Sequence, residues 1–207
     1  MRAENSTLEL LNKYRVVLAS GSPRRKELLQ SLGLKFEVEV KKDISENYPT
    51  DLPAEKISEY VSREKAEAYE VAEGELLITA DTTVVLDGEA LGKPCDADEA
   101  KAMLRKLSGR KHLVVTGVTL TTVGRQRSFS AVTEVEFDTL DEAEIDYYVD
   151  TFKPLDKAGA YGIQEWIGCA AVKGISGSFY NVMGLPVQRL YAELKAFIRQ
   201  ERCRCRL

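Results

Sequence analysis

The sequence predicts an α/β fold with a mixed central sheet flanked by helices. Three features lead to this prediction. Short apolar runs that are typical of buried strands alternate with segments of helical periodicity, and the alternation is irregular. Tight hairpin signals lie among these runs, so some neighbouring strands should be antiparallel. We expect one domain over residues 1–207, with an N-terminal extension at 1–13 and a polar tail at 201–207.

In the first half of the chain, strand and helix signals follow each other closely. Strands are predicted at 16–18, 36–40 and 76–78, and helices at 23–32 and from 53 to about 74, with a polar loop at 43–51. Ser22 is a favourable N-cap, Pro23 favours the first helical position, and Gly33 is expected to end that helix. The strand at 76–78 should end at Ala80 and Asp81.

The second half begins with a hairpin and closes with a helix. Asp87 and Gly88 predict a two-residue turn between short strands. We expect Asp96 to cap a helix, and Thr139 with Glu142 to form a capping box for the next one. The predicted elements are strands at 84–86, 90–91, 113–123 and 128–137, helices at 96–108, 139–149 and 186–198, and short strand-like pieces within the glycine-rich segment 153–184.

Composition restricts the class of protein, because 44% apolar and 30% charged residues exclude disordered and fibrous chains. The net charge of −4 disfavours sequence-blind binding to DNA or RNA. No apolar stretch approaches the roughly 20 residues of a membrane helix, and residues 1–14 lack the apolar block of a secretory signal. Cys95, Cys169, Cys203 and Cys205 lack zinc-site and redox spacing, which indicates reduced thiols. We therefore expect a cytoplasmic protein whose partners include no nucleic-acid polymer and no membrane.

A cluster of cations lies in the first turn of the helix predicted at 23–32. Arg24, Arg25 and Lys26 oppose the helix dipole there, which costs helix stability. A phosphate bound by the free backbone N–H groups and by the guanidinium groups would remove this conflict. A solvated basic turn is the other interpretation. We favour the phosphate site because the turn follows a buried strand and a loop of serine and glycine.

Charged residues also interrupt the apolar face of the helix that follows Pro53. Ile57 and Val61 lie on this face, Glu64 falls in its middle and Lys65 lies at its edge. Such charges must be paired or must face a wet cleft. Periodicity alone favours an internal ion pair and a role in a site equally.

A third signal is the carboxylate of Asp81 at the end of a buried apolar run, where open α/β sheets place ligands. An aspartate there also serves frequently as a cap or turn residue. The hairpin should bring Lys93 back toward Asp81, so we predict a site for a metal ion and a phosphate. His112 is the single histidine of the chain, and we expect it to be structural. Any metal should then have oxygen ligands, which suits magnesium or manganese.

Seven short motifs follow one another along the chain: Ala19-Ser20-Gly21-Ser22-Pro23-Arg24-Arg25, Glu64-Lys65-Ala66, Ala80-Asp81-Thr82, Gly92-Lys93-Pro94, Leu107-Ser108-Gly109-Arg110, Asp156-Lys157-Ala158-Gly159-Ala160-Tyr161-Gly162-Ile163-Gln164 and Asn181-Val182-Met183-Gly184-Leu185-Pro186. Together they resemble the Maf family of nucleotide pyrophosphatases. The resemblance covers residues 16 to about 198. One motif alone would be weak, whereas seven in this order are specific.

The resemblance implies a cleft between two lobes, a homodimer, and divalent-metal-dependent hydrolysis of nucleoside triphosphates to the monophosphate and pyrophosphate. It implies that Asp81 is the proton acceptor. It also implies that Arg24, Thr82 and Gln164 contribute to the choice of base, in a combination like that of the subgroup acting on dTTP and UTP. Glu46 corresponds to an acidic position of the metal site. The expected metal ligands are therefore Asp81 and Glu46, and the expected cofactor is Mg²⁺ or Mn²⁺.

Charge suggests how this reaction would proceed. The triphosphate would be neutralised by the metal ion and by the expected substrate-binding cations Arg24, Arg25, Lys65 and Lys93. Asp81 would hold the metal ion, accept the proton of the attacking water, or do both. The amide of Gln164 fits the edge of uracil or thymine, and after a flip it fits cytosine. The expected role is removal of unwanted nucleotides; the alternatives are a preference for 7-methyl-GTP or a modified nucleotide, and a nucleotide-binding regulator of cell division.

Overall fold

The structure is a computed structural model that describes residues 7–42 and 44–204, and the side chains as far as residue 199. Expectations that concern residues 1–6, residue 43 and residues 205–207 lie outside the described residues, as does the side chain of Cys203. None of the helices in the described part of the chain has the length and apolar character that crossing a membrane requires.

A mixed sheet forms the centre of the fold, which confirms the predicted fold class. Its described strands are β1 (Arg15–Leu18), β2 (Glu37–Val38), β3 (Glu75–Leu86), β4 (Glu89–Leu91), β5 (Lys111–Thr122), β6 (Arg125–Phe137) and β7 (Val172–Ser176). In space they follow the order β2, β1, β3, β5, β6, β7, with β4 beside β3. β1 runs parallel to β2 and β3, and the other described pairs are antiparallel.

Helices flank this sheet, and their starts follow the capping signals of the sequence in two cases. The described helices are α1 (Thr7–Leu11), α2 (Pro23–Ser31), α3 (Ala54–Glu67), α4 (Ala97–Leu107), α5 (Glu142–Phe152), α6 (Trp166–Ala170), α7 (Phe179–Met183) and α8 (Val187–Arg204). Ser22 caps α2 by accepting a hydrogen bond from the Arg25 N–H at 3.4 Å. Asp96 caps α4 by accepting one from the Glu99 N–H at 2.8 Å. Each cap satisfies a backbone donor that a first helical turn leaves free.

The predicted end of a strand at Asp81 is wrong. β3 runs on through Asp81 to the predicted hairpin turn, where Asp87 and Gly88 have φ values of 53° and 81°. The strand persists because β5 pairs with it over residues 77–85, which keeps the backbone of Asp81, opposite Gly117, in the ladder. Continuous pairing on one edge therefore outweighs the polar side chains that suggested a break.

The other edge of β3 is only partly covered. β1 pairs with residues 75–78 and β4 with residues 84–86, so residues 79–83 have no strand partner on this edge in the described sheet. Successive side chains of a strand point to opposite faces. Asp81 accordingly faces α3, and Thr82 faces the opposite side, where α7 lies. The candidate site lies at this uncovered edge.

Two features of the second half differ from the predictions. The capping box of α5 consists of Asp141 and Glu144, with N–H to carboxylate distances of 2.8 and 2.9 Å, rather than of Thr139 and Glu142. Both pairs have the required spacing, and aspartate is the stronger N-cap of the two. The glycine-rich segment 153–184 contains a single described strand, β7, and otherwise helical turns, instead of several strand-like pieces.

Two helix ends also differ from the predictions. α3 ends at Glu67 instead of near residue 74, because Tyr69 turns away to the segment after β2. The Tyr69 hydroxyl accepts the Lys41 N–H at 2.9 Å and donates to the Glu39 carbonyl at 3.2 Å. α8 continues to Arg204 instead of ending at residue 198, so it includes residues 201–204 of the predicted polar tail.

Among the described residues, the two largest of four hydrophobic cores lie at opposite ends of the long strands. The first packs α1, α2 and α8 around residues that include Leu18, Ile78, Leu120 and Leu190. The second packs α4, α5 and α6 around residues that include Val84, Leu104, Val135 and Tyr148. β3, β5 and β6 contribute side chains to both cores, which gives the expected arrangement of two lobes around a cleft.

Candidate active site

A cavity of about 440 Å³ opens at the uncovered edge of β3. Its lining comes from the loop before α2, from α2, α3 and β3, from the segments that follow β2 and β4, from residues 156–164 and from the end of α7. The lining contains every site residue that the sequence predicts, namely Arg24, Arg25, Glu46, Lys65, Asp81, Thr82, Lys93 and Gln164. Lys26, the third cation of the basic turn, is exposed and is not part of the lining.

Lys65 joins two carboxylates on the α3 side of the cavity. Its Nζ lies 2.8 Å from Asp81 Oδ1 and 2.7 Å from Glu46 Oε1. The side chains of Lys65 and Asp81 are only 13% and 16% exposed, so this ion pair is largely shielded from water, whereas Glu46 is 48% exposed. The internal ion pair that periodicity left as one alternative is thus present at Lys65, and this residue also lines the cavity.

A glycine beneath α3 allows Lys65 to reach this position. Gly117 of β5 pairs with Asp81, and a Cβ added to Gly117 would come within 2.3 Å of the backbone of Ser58 and Glu59. Real Cβ atoms do not tolerate such a contact, so any larger residue would push the helix outward. The absence of a side chain at Gly117 therefore sets the distance between α3 and β3.

Lys93 reaches the same cluster from the hairpin side. Its Nζ lies 3.5 Å from Glu46 Oε2, so Lys93 is connected to Asp81 through Glu46 and Lys65. Desolvation by partial burial raises the pKa of Glu46, but the hydrogen bond and charge of Lys65, together with Lys93, outweigh it and lower the pKa overall. Glu46 is therefore an anion held between two cations.

Arg25 lies on the opposite side of β3. Its Nε donates to the Gly184 carbonyl at 2.9 Å, and its two terminal nitrogens donate to Thr82 Oγ1 at 3.0 Å and to Ser20 Oγ at 3.5 Å. Burial lowers the pKa of the guanidinium, and the nearby charge of Asp81 partly offsets this effect. The three contacts tie the loop before α2 to β3 and to the end of α7.

A second charge network, which sequence reasoning did not assign to the site, lies beside Arg24. Arg24 Nη1 is 3.3 Å from Asp156 Oδ2, and Lys157 Nζ is 2.7 Å from Asp156 Oδ1 and 3.1 Å from Glu165 Oε1. Lys157 is 7% exposed, yet it lines the cavity. Desolvation raises the pKa of Asp156, whereas Lys157 and then Arg24 lower it, and the net shift is downward. The motif at 156–164 was the sequence signal that contained these residues.

Gln164 lies on a turn that is fixed on both sides. The Tyr148 hydroxyl accepts the Gly162 N–H at 3.0 Å and donates to the carboxylate of Glu165. Burial and the contact with Glu165 raise the pKa of Tyr148, so the hydroxyl keeps its proton. Gln164 itself is exposed, and its amide has no hydrogen-bond partner among the residues that the structure describes. The cavity thus presents a free amide on a fixed backbone.

Asp81 and Glu46 provide oxygen ligands of the kind that magnesium and manganese prefer. Both carboxylates contact the Nζ of Lys65, at 2.8 and 2.7 Å, so they lie next to each other at the cavity. Within residues 7–42 and 44–204, no three His, Cys, Asp or Glu side chains are grouped so that they could hold a metal ion. A divalent ion would complete its coordination with substrate oxygens and water, as Mg²⁺ commonly does. The two carboxylates fit a metal in this shared mode.

The chain was compared with family models, curated proteins and solved structures. The family model for Maf, described as Maf-like protein, matches residues 15–197. A dTTP/UTP pyrophosphatase of Phocaeicola vulgatus is 62% identical over 190 residues, which cover 91% of this chain and 98% of that protein. A dTTP/UTP pyrophosphatase of Bacteroides thetaiotaomicron is 60% identical over 187 residues, which cover 89% and 97%. Among solved structures, a HAM1 protein from Coxiella burnetii matches with a TM-score of 0.48 and 15% identity, covering 88% of this chain and 99% of that chain.

Proposed function

This chain belongs to the Maf family, and on that premise we propose that it hydrolyses dTTP and UTP to the nucleoside monophosphate and pyrophosphate. Relatives that are 62% and 60% identical carry the name dTTP/UTP pyrophosphatase, which supports this substrate class. The observation that carries the proposal is the cavity itself, where cations from separate segments and the carboxylate of Asp81 line one hollow of about 440 Å³.

The cations on both sides of β3 suit a polyphosphate chain. The negative charge of a triphosphate repels an attacking water, and nearby positive charge reduces this repulsion. Arg24 and the N–H groups at the start of α2 suit one phosphate group, while Lys65 and Lys93 approach from the α3 and hairpin sides. Arg25 adds its positive charge and at the same time holds Thr82 in place.

Asp81 is the group that takes the proton of the attacking water. The water oxygen bonds to the α-phosphorus, the bond from that phosphorus to the bridging oxygen breaks, and pyrophosphate leaves with the bridging oxygen and its electron pair. The water proton passes to the carboxylate of Asp81. Lys65 orients this carboxylate through Oδ1 at 2.8 Å, which leaves Oδ2 for the water. A magnesium or manganese ion held by Asp81 and Glu46 would supply further positive charge at the phosphate oxygens.

The proposal also covers the setting of the reaction. We propose a cytoplasmic homodimer that removes unwanted nucleotides and that has no nucleic-acid polymer and no membrane as partner. Family membership supports the dimer. The net charge of −4 supports the exclusion of nucleic acid, because the cations of the cavity are local and the surface as a whole is acidic.

Replacement of Asp81 by Asn tests the proposal directly. Asn keeps the size and a hydrogen-bond acceptor but cannot accept a proton at neutral pH. We expect Asp81→Asn to bind dTTP and to release pyrophosphate at least about 100-fold more slowly than the wild type. Pyrophosphate release with Mg²⁺ or Mn²⁺ measures turnover, and equilibrium dialysis with dTTP measures binding.

Asp87→Asn is the matched control, because Asp87 is an aspartate of the β3–β4 hairpin outside the cavity lining and pairs with Arg110. This variant should retain wild-type turnover. Near-normal turnover of Asp81→Asn would contradict the role of Asp81. Tight binding of dTTP by the wild type without release of pyrophosphate would favour a nucleotide-binding regulator, and a higher kcat/KM for 7-methyl-GTP would change the substrate.

A further inference from the structure

A chain of hydrogen bonds runs from the cavity into the protein interior. Arg25 donates to Thr82 Oγ1 at 3.0 Å, Thr82 Oγ1 lies 3.0 Å from Thr116 Oγ1, and Thr116 Oγ1 lies 3.0 Å from the Asn181 carbonyl oxygen. Thr82 lines the cavity, whereas Thr116 and Asn181 are fully buried. Thr116 and Asn181 have no part in the proposed chemistry.

The number of protons in this chain fixes the direction of each bond. The Asn181 carbonyl can only accept, so Thr116 must give its one hydroxyl proton to it. If Thr116 instead donated its proton to Thr82, the Thr116 hydroxyl oxygen and the Asn181 carbonyl oxygen would lie 3.0 Å apart with no proton between them. Such a contact is unfavourable in a buried site. Since the proton of Thr116 is used, Thr82 must donate its own proton to Thr116.

The end of this chain is firmly anchored. The Asn181 side chain donates to the Val114 carbonyl and to Thr133 Oγ1, both at 3.0 Å, and the Gly184 N–H caps the Asn181 carbonyl at 3.0 Å. The carbonyl therefore cannot turn away from Thr116. The Thr82 hydroxyl is left with one free lone pair, because its proton and its other lone pair are occupied by Thr116 and Arg25.

We propose that Thr116 is a positioning residue that fixes the proton of Thr82, so that Thr82 offers the nucleotide only a hydrogen-bond acceptor. This inference rests on the proposed function and specifies how the same cavity selects a base. A sugar hydroxyl can donate or accept a hydrogen bond, so a fixed acceptor at Thr82 does not distinguish one sugar from another. It distinguishes only a base whose ring edge carries a donor from a base whose ring edge carries an acceptor. The imide N3–H of uracil and thymine is a donor and matches Thr82, whereas N3 of cytosine is an acceptor and would face it lone pair to lone pair.

Thr116→Val tests the proposal, because it removes the acceptor that holds the proton of Thr82. The freed hydroxyl can then donate to N3 of cytosine. We expect the ratio of kcat/KM for dTTP to that for dCTP to fall about tenfold, mainly through a gain with dCTP. A merely structural role of Thr116 would lower both values together and leave the ratio unchanged, which would overturn the proposal.

Thr116→Ser keeps the hydroxyl and is the matched control, so it should keep the wild-type ratio.

Substrate analogues supply a second test that needs no variant. With the wild type, 3-methyl-dTTP should lose about tenfold or more in kcat/KM, whereas 2′,3′-dideoxy-TTP should stay near dTTP. A loss with the dideoxy analogue and none with 3-methyl-dTTP would overturn the proposal by placing the contact at the sugar. Absence of pyrophosphate release from every nucleotide would instead contradict the proposed function.

Discussion

The single histidine of the chain shows how burial alone sets the chemistry of one residue. His112 is 2% exposed, and its Nε2 lies 2.7 Å from the Tyr161 hydroxyl. Its ring meets the rings of Phe137 and Tyr161 edge to face. Desolvation lowers the pKa of His112 to about 4. The residue is therefore neutral and structural, in agreement with the prediction from the sequence.

This burial predicts a pH dependence of stability with a definite sign. The pKa of a histidine in the unfolded chain is about 6.5, so the unfolded state takes up a proton that the folded state refuses. The contribution of His112 to stability should be constant above about pH 7, fall as the pH drops toward the folded pKa of about 4, and level off below it. The contribution of His112 amounts to about 3 kcal/mol over this range.

His112→Gln should remove this contribution while keeping a polar partner for Tyr161. Urea unfolding at a series of pH values measures the free energy of unfolding for both proteins. We expect the wild type to lose more stability than the variant between pH 7.5 and 4.5. No other histidine interferes, because the sequence contains only one. Parallel pH profiles would show that the titration of His112 does not affect stability.

Residues that line the cavity could be predicted where their charge conflicts with the local pattern. Arg24 opposes a helix dipole, Lys65 interrupts an apolar helix face and Asp81 ends an apolar run. Asp156 and Lys157 contact the same cavity region but lie in an irregular segment. Such a segment has no periodicity with which a charge could conflict, so residue-level reasoning had no basis for assigning them.

At the scale of elements, the contact of α3 with the sheet determines the geometry of the site. Lys65 can pair with Asp81 only while the backbone of Ser58 and Glu59 rests directly on Gly117. The backbones of α3 and β5 can approach this closely only because Gly117 has no side chain. A side chain there would meet backbone atoms, which cannot move aside as a flexible side chain could.

Gly117→Ala should therefore affect both stability and turnover. We expect a loss of about 1–3 kcal/mol in the free energy of unfolding, because the added Cβ meets backbone atoms. Turnover should also fall, since α3 would carry Lys65 away from Asp81. Urea unfolding and pyrophosphate release are the two measurements.

Gly174→Ala is the control for this substitution within the same sheet. Gly174 lies in β7, and a Cβ there would meet no atom within 4 Å. This change should stay within about 0.5 kcal/mol of the wild type. Equal effects of the two substitutions would show that the close contact between α3 and Gly117 does not determine stability or turnover.

Helices and turns were predictable where local sequence signals are strong. The extent of a strand was less predictable where it depends on pairing with a distant segment of the chain. The caps at Ser22 and Asp96 and the turn at Asp87 act within four residues, so the sequence contains all of their energetics. The continuity of β3 past Asp81 depends on β5, which follows much later in the chain. No local pattern reports such pairing, which is why the strand was expected to end early.

At the scale of the whole molecule, the two hydrophobic cores share the same strands. β3 contributes Ile78 to the first core and Val84 to the second, and β5 contributes Leu120 and Val114 in the same way. The cavity lies between the cores because the edge of β3 is uncovered there. A strand cannot lose its pairing at one end without weakening the ladder at the other, so the two lobes should unfold together.

A substitution in one core, observed from the other, tests this cooperativity. Leu190 of α8 is fully buried in the first core, and Leu190→Ala should lower the free energy of unfolding by about 2–5 kcal/mol. Trp166, the only tryptophan, packs against the second core, so its fluorescence reports the opposite lobe. We expect the urea midpoint from Trp166 fluorescence to shift as far as the midpoint from far-UV circular dichroism, in one coincident transition. A Trp166 midpoint that stays at the wild-type value would mean that the lobes unfold separately, and that the long strands do not couple them.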